Sequence, residues 1–242
     1  MTSASVAAAR REELSTNLHH VHGRIGTACR AAGRVRHDVA LIVVTKFFPV
    51  SDIETLCQLG VTDIGENRDQ EASAKIAALP SEVRQRLRVH FIGQLQSNKA
   101  ASLASYVDTV HSIDRDKLVR ALDRAAAAAG RDIGALVQVS LSGDSGRGRG
   151  GIPLDGVAEL ANSIAAAQHL ELRGLMAVAP LGVDPVEAFA QLATVARGLR
   201  ADHPAATWIS AGMSADLEAA VANGATHLRV GSAILGSRPP FG

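Results

Sequence analysis

The sequence predicts an α/β fold: a single (β/α)8 barrel of the TIM type with an extra N-terminal helix, formed as one domain over residues 1–242. Eight short apolar runs alternate with helical patterns along the whole chain, which favours parallel strands joined by right-handed crossovers. No Pro/Ser-rich linker interrupts that alternation, and 242 residues match the roughly 250 of a typical α/β barrel. An open doubly wound sheet fits the same alternation, because periodicity carries no information about closure.

The first element, over residues 4–32, is an amphipathic helix with Leu14, Leu18, Val21, Ile25 and Ala28 on one stripe. Strand one covers 41–45, and its helix opens at Ser51-Asp52-Ile53-Glu54, read as a capping box, and stops near Gly60. Strand two covers 62–65, with a helix over 70–79 that Pro80 ends. Strand three is 88–92, with a helix from about Ser97; strand four is 107–111, with a helix over 114–130. Strand five is 135–140, and Pro153 suits the first position of its helix. Strand six is 171–178, with a helix from Asp184 to about Ala201. Strand seven is 207–210, with a helix capped by Ser214, and strand eight is 227–230, with a short last helix over 232–235.

Composition excludes several functions. Twenty-five basic and 24 acidic residues leave a net charge of +1, with no basic stripe for a nucleic-acid partner, and 3% aromatic residues are too few for base-stacking platforms. Two cysteines, Cys29 and Cys57, make no disulfide framework and suit a reducing compartment. The N-terminus has no signal-like apolar region, and no run approaches the ~20 apolar residues that span a bilayer. The chain therefore reads as cytoplasmic, with no membrane partner. The nine histidines form no zinc spacing, and His19, His20 and His22 read as surface residues of the first helix.

Chemistry in such barrels sits at the C-terminal ends of the strands. Lys46 ends the run Leu41-Ile42-Val43-Val44-Thr45, and partial desolvation there would lower its pKa and make it a nucleophile toward carbonyls. Strand two ends in Gly65-Glu66-Asn67, strand three in Gly93-Gln94, and strand four in His111-Ser112; Ser140 and Ser210 end strands five and seven. Beyond strands seven and eight, Ser214 and Gly231-Ser232 read as a divided phosphate cradle: Gly231 allows close backbone approach, and Ser232 opens the last helix. A plain N-cap role accounts for Ser214 equally well. A nucleophilic lysine with a phosphate cradle points to pyridoxal 5′-phosphate. Arg229, inside strand eight, faces either a carboxylate across the barrel or the cofactor's ring nitrogen. An arginine in the latter place leaves that nitrogen unprotonated and weakens the electron sink that carbanion chemistry needs.

The stretch Gly146-Arg147-Gly148-Arg149-Gly150-Gly151 formally fits a dinucleotide-binding glycine pattern. It follows strand five rather than the first strand of a βαβ unit, so it reads as a loop.

Taken together, Val44-Thr45-Lys46, Gly65-Glu66-Asn67, the block from His90 to Lys99 (HFIGQLQSNK), His111-Ser112-Ile113-Asp114, Arg173-Gly174-Leu175-Met176, Gly212-Met213-Ser214 and Arg229-Val230-Gly231-Ser232 resemble the pyridoxal phosphate homeostasis protein family. The resemblance implies a barrel like the N-terminal domain of alanine racemase. It implies that Lys46 holds pyridoxal 5′-phosphate as a Schiff base, that Ser214, Gly231 and Ser232 hold its phosphate, that Arg229 meets its ring nitrogen, and that Asn67 lies near it. Two departures stand out. Lys46-Phe47-Phe48-Pro49 replaces a Lys-Thr-Lys/His-Pro pattern, and Arg147 and Arg149 stand in a loop where many relatives carry a lysine.

The family is regarded as non-enzymatic, keeping the vitamin B6 pool in balance, with PLP-dependent apoenzymes as candidate recipients. The end of the sequence at Gly242, just past strand eight, leaves no room for the C-terminal β-domain of related racemases, which supplies their second base. The expected protein is thus a cofactor-binding monomer, not an enzyme. A weak single-domain amino-acid racemase is the alternative. Without the resemblance, Lys46 would also suit a class I aldolase.

Overall fold

The computed structural model describes residues 3–141 and 150–237. Eight parallel strands, β1 (Ala40–Val44), β2 (Asp63–Glu66), β3 (Arg88–Phe91), β4 (Thr109–Ile113), β5 (Ile133–Gln138), β6 (Leu170–Met176), β7 (Trp208–Ser210) and β8 (His227–Val230), close into a barrel in sequence order. Closure is made by β1 against β8, with Ala40 beside His227 and Val43 beside Val230. The open sheet is thereby excluded.

Around it lie α1 (Ser3–Ala31), α2 (Val50–Gln58), α3 (Asp69–Ala78), α4 (Ser81–Arg86), α5 (Ala100–Ala104), α6 (Asp116–Ala129), α7 (Val157–Ala165), α8 (Pro185–Asp202), α9 (Leu217–Ala222) and α10 (Ser232–Leu235). The apolar stripe of α1 is buried as its spacing predicts: Leu14, Val21 and Ile25 are inaccessible, and Leu18 and Ala28 nearly so. Each large side chain so buried contributes roughly 1.5–3 kcal/mol. The polar residues of α1 then fasten it across the β8 end of the barrel. Arg10 and Asn17 donate to the carbonyls of Leu235 and Ile234 at 3.1 and 3.0 Å, and Arg34, just past the helix, donates to those of Val221 and Ala225. The extra helix is thus a strap over α9 and α10, the two elements that follow β7 and β8.

Several boundaries differ from expectation. β4 starts two residues late because the Val107 N–H is still bound to Leu103 O in the last turn of α5. β5 starts at Ile133, two residues ahead of the expected 135, and ends at Gln138. The short α4 follows Pro80 and was not expected; its sequence, Ser-Glu-Val-Arg-Gln-Arg, has no apolar period to announce it. Pro153 opens a 3-10 turn, Leu154–Gly156, and the α-helix proper begins at Val157. The expected capping box at Ser51 does not form: α2 already begins at Val50, Pro49 holds the cap position, and Ser51 lies inside the helix. By contrast, Asp184 caps α8 through its side chain, accepting from Val186 N at 2.9 Å. Most of the Gly/Arg-rich loop, including Arg147 and Arg149, lies outside the described residues.

The barrel lumen is polar. His90 of β3 lies 5.1 Å from His111 of β4 and 6.4 Å from Trp208 of β7, ring centre to ring centre, and Trp208 lies 3.9 Å from His227 of β8. Contacts between β3 and β7 can run only through the interior of a closed barrel. His111, the polar end of strand four in the sequence reading, is fully buried there. His19, His20 and His22 are exposed on α1 as expected. Among the described residues, no helix is long and apolar enough to cross a membrane, and no group of three or more His, Cys, Asp or Glu is arranged to hold a metal ion.

Candidate cofactor site

Lys46 is half-buried, two residues past β1, where the chain leaves the barrel at its C-terminal mouth. The residues on either side of it are clamped. Thr45 N donates to Gly65 O at 3.0 Å, extending the β1–β2 pairing by one residue. Thr45 Oγ1 donates to Glu66 Oε1 at 2.6 Å, and Thr45 O accepts from Lys75 Nζ at 2.9 Å. Phe47 N donates to Glu71 Oε1. Lys75, from α3, joins the two carboxylates, lying 2.6 Å from Glu66 and 2.9 Å from Glu71. Burial pushes the Glu66 carboxyl up from its ordinary value, against the pull of Lys75. Phe47 itself sits at φ 71°, a strained conformation for a bulky residue. Its ring takes the Arg68 guanidinium at 5.0 Å and the Lys46 amine at 5.9 Å.

The β7 and β8 loops meet beside Lys46 at the same opening, since β8 pairs directly with β1. Ser214 Oγ accepts from Ser232 Oγ at 3.3 Å and, at 3.4 Å, from the N–H of Ala233. Ser214 is not the N-cap of the next helix. That place belongs to Asp216, one residue before α9, and its carboxylate accepts from Met213 N at 2.6 Å. The hydroxyl of Ser214 is thereby left to face α10. Gly212 makes the turn possible: it has φ +91°, and a side chain there would meet Ala220 Cβ at 2.6 Å and Leu228 Cδ2 at 2.8 Å. Gly231 is needed for packing as well as for access to an anion, since a methyl would press on Val44 Cβ and O at 3.2 Å.

Arg24 of α1 anchors this loop. Its guanidinium grips Glu218 through two N–H groups, at 2.8 and 2.9 Å, and donates to Ser214 O at 3.0 Å. The bond from Arg24 holds the Glu218 carboxyl below its ordinary value. Replacing Arg24 by alanine is expected to weaken binding of a phosphorylated ligand about three- to tenfold, the equivalent of one net hydrogen bond. Stability should change by less than about 1 kcal/mol, as for an exposed ion pair. Titration and urea unfolding of the same variant would check both.

Arg229 is 4% exposed. It donates to Ser210 Oγ at 2.7 Å and to Ala177 O at 2.9 Å. Among the described residues no carboxylate forms an ion pair with it. Burial lowers its pKa to about 10, with Asp216 opposing only through space.

Five of the six expected residues line one cavity of about 380 Å³: Lys46, Ser214, Arg229, Gly231 and Ser232. The volume lies within the roughly 300–1,000 Å³ of small-molecule sites. Asn67 is not among them. It lines a neighbouring cavity of about 570 Å³ with Arg68, Gln94 and Lys99. Glu71, which holds Phe47 N, also lines that neighbour, so the Phe47 turn stands between the two. Sequence reasoning missed Lys75, Arg24 and the carbonyl of Ala177. Helix lysines and arginines are common, and only tertiary proximity distinguishes these.

The family model for the N-terminal domain of alanine racemase matches residues 28–239. A pyridoxal phosphate homeostasis protein of Mycobacterium tuberculosis is 42% identical over 95% of this chain and 94% of its own length. One from Corynebacterium glutamicum is 43% identical over 90% of this chain and 99% of its own. This chain belongs to the pyridoxal phosphate homeostasis protein family. The Escherichia coli member is 36% identical over 93% of the chain. These relatives are named for homeostasis and not for a reaction. Among solved structures, PipY of Synechococcus elongatus with PLP bound matches with a TM-score of 0.78 and 34% identity, over 92% of this chain and 100% of that one. Alanine racemase of Clostridium difficile, at 15% identity and a TM-score of 0.68, shares the fold; the match covers 58% of that longer chain.

Proposed function

We propose that this chain binds pyridoxal 5′-phosphate in the 380 Å³ cavity and serves the intracellular balance of vitamin B6 without robust catalysis. The observation that carries the reading is convergence: an amine, two hydroxyls and a buried guanidinium, from the β1, β7 and β8 ends, line one cavity. They fit the cofactor's three polar parts. Lys46 suits the aldehyde, Ser214 and Ser232 with Gly231 suit the phosphate, and Arg229 suits the ring nitrogen. When bound, the cofactor supplies an aldehyde that condenses reversibly with amines. Arg229 has only N–H groups to offer, so it donates to the ring nitrogen and keeps it unprotonated. Asn67, across the Phe47 turn, would act from the neighbouring cavity. In this reading the chain is one binding domain, a cytoplasmic monomer that serves PLP-dependent apoenzymes. The buried free thiols of Cys29 and Cys57 suit a reducing compartment.

An absorbance spectrum of the purified protein, before and after borohydride and followed by peptide mapping, tests the proposal. A visible band that borohydride fixes to Lys46 is expected. No band after incubation with excess pyridoxal 5′-phosphate would overturn it.

A further inference from the structure

Arg229 is the upper end of a hydrogen-bonded chain that crosses the lumen. Arg229 Nη1 lies 2.7 Å from Ser210 Oγ; Ser210 Oγ lies 2.9 Å from His111 Nδ1. His111 Nε2 lies 3.0 Å from His90 Nδ1, and His90 Nε2 lies 3.0 Å from Asp63 Oδ1. The five residues come from β8, β7, β4, β3 and β2, and none is more than 6% exposed. At the far end Asp63 accepts two bonds from Arg88, each 2.8 Å, and one from Thr62 at 2.6 Å.

The order of protons along this chain follows from chemistry. A guanidinium can only donate, so the Ser210 oxygen accepts from Arg229, which leaves its hydroxyl proton able to go to His111 Nδ1. With that bond made, Nδ1 is bare, and neutral His111 carries its proton on Nε2 and donates to His90 Nδ1. His90 then carries its proton on Nε2 and donates to Asp63. The other end selects this order: an ionised Asp63 can only accept, so His90 donates from Nε2, and as the Nε2–H tautomer it accepts at Nδ1 from His111, which in turn accepts from Ser210. Asp63 is kept ionised: burial pushes its pKa up, but the bonds from His90 and Arg88 outweigh that and hold it well below the usual carboxylate range. Burial likewise keeps His111 neutral, pushing its pKa well below the ordinary value.

We propose that Asp63, His90, His111 and Ser210 are positioning residues that act as a one-way donor relay, fixing the Arg229 guanidinium at the cavity for the ring nitrogen of its ligand. The reason for a relay is electrostatic. A buried guanidinium needs acceptors, yet a carboxylate in contact with it would compete for the N–H groups that face the ligand. Here the anion is set back across the lumen, at the start of β2, and the intervening dipoles point their acceptors at Arg229. His227 stands beside the relay but outside it, bonded to Thr226 and stacked on Trp208.

The part concerning the ring nitrogen rests on the function proposed above; the proton order does not. Nitrogen-15 NMR of the histidines in the full, cofactor-free chain at neutral pH should therefore find His90 and His111 each as the Nε2–H tautomer. Ser210→Ala should release the His111 Nδ1 signal from its hydrogen-bonded position. It should also weaken pyridoxal 5′-phosphate binding about three- to tenfold, the equivalent of one net hydrogen bond, with a shift of the bound band. Asp63→Asn reads the other end, should Ser210→Ala fail to fold: an amide can donate, so His90 should lose its single tautomer. A protonated or Nδ1–H form of either histidine in the wild type would overturn the relay. So would unchanged signals and affinity in a folded Ser210→Ala. If the wild type shows the expected tautomers but takes up no pyridoxal 5′-phosphate, the relay stands and the cofactor reading fails.

Discussion

Lys46→Ala should abolish the visible band of the loaded protein and the borohydride-fixed adduct, and weaken retention of pyridoxal 5′-phosphate by at least about tenfold, or about 1.4 kcal/mol. The reasoning is local. Lys46 is the amine lining the cavity that holds the Ser214 and Ser232 hydroxyls and the Arg229 guanidinium. Lys75, the nearby buried lysine, is occupied by Glu66, Glu71 and the Thr45 carbonyl. Removing Lys46 leaves the phosphate and ring contacts intact, so residual, colourless binding should persist and remain sensitive to inorganic phosphate. Lys46→Arg should behave the same way, because a guanidinium keeps the charge without a nucleophilic nitrogen. Spectra and equilibrium dialysis of both variants decide the matter. A band that survives in Lys46→Ala, or an adduct mapped to Lys75 or Lys99, would refute the assignment.

Lys75→Met should destabilise the protein by about 3–5 kcal/mol at neutral pH, the usual cost of removing one partner from a buried ion pair. Glu66 is inaccessible to solvent, and one of its carboxylate oxygens, Oε2, already lacks a hydrogen-bond partner within the protein. Without Lys75 the carboxylate would keep only the Thr45 hydroxyl on its other oxygen. The pH dependence has a definite sign. The folded-state pKa of Glu66 lies above its ordinary 4.5, so the folded protein holds that proton longer than the unfolded chain does. Stability from this group is therefore lost as pH rises above 4.5, and removing Lys75 raises the folded pKa further. The penalty in Lys75→Met should be smallest in acid, below the ordinary glutamate value, and greatest near neutrality. Adding Glu66→Gln should recover most of it. Urea unfolding of the single and double variants at two pH values checks the claim; an equal penalty at both would refute it. The same variant should loosen the Lys46 loop, since Lys75 also holds the Thr45 carbonyl.

Much of this was legible in the sequence for identifiable reasons. The i, i+3, i+4 stripe of α1 and the short apolar strands are local patterns, and both appear where the spacing places them. β8 and α10 match residue for residue, with Gly231 alone between them. The boundaries that moved did so through contacts the sequence does not display. Val107 stays bound to the helix before it, and Ser51 is bypassed because the chain turns helical at Val50. Ser214 shows the limit of local reading most clearly. Its position before a helix suggests a cap, yet Asp216 stands at the cap and the Ser214 hydroxyl turns to the Ser232 loop.

By itself, the order of residues determined that eight strands and their helices would alternate, that Lys46 would end the first strand, and that polar groups would follow the seventh and eighth. These are properties of short segments, set by side-chain period, turn chemistry and the direction of parallel strands. Only the tertiary structure decided that the sheet closes, because closure pairs Ala40 with His227, residues at opposite ends of the chain. It alone separated Asn67 from the other five residues, and it alone buried Lys75 against Glu66. The chain from Asp63 to Arg229 is the extreme case. Its members lie on five strands, and closure of the barrel is what brings donor to acceptor across its interior.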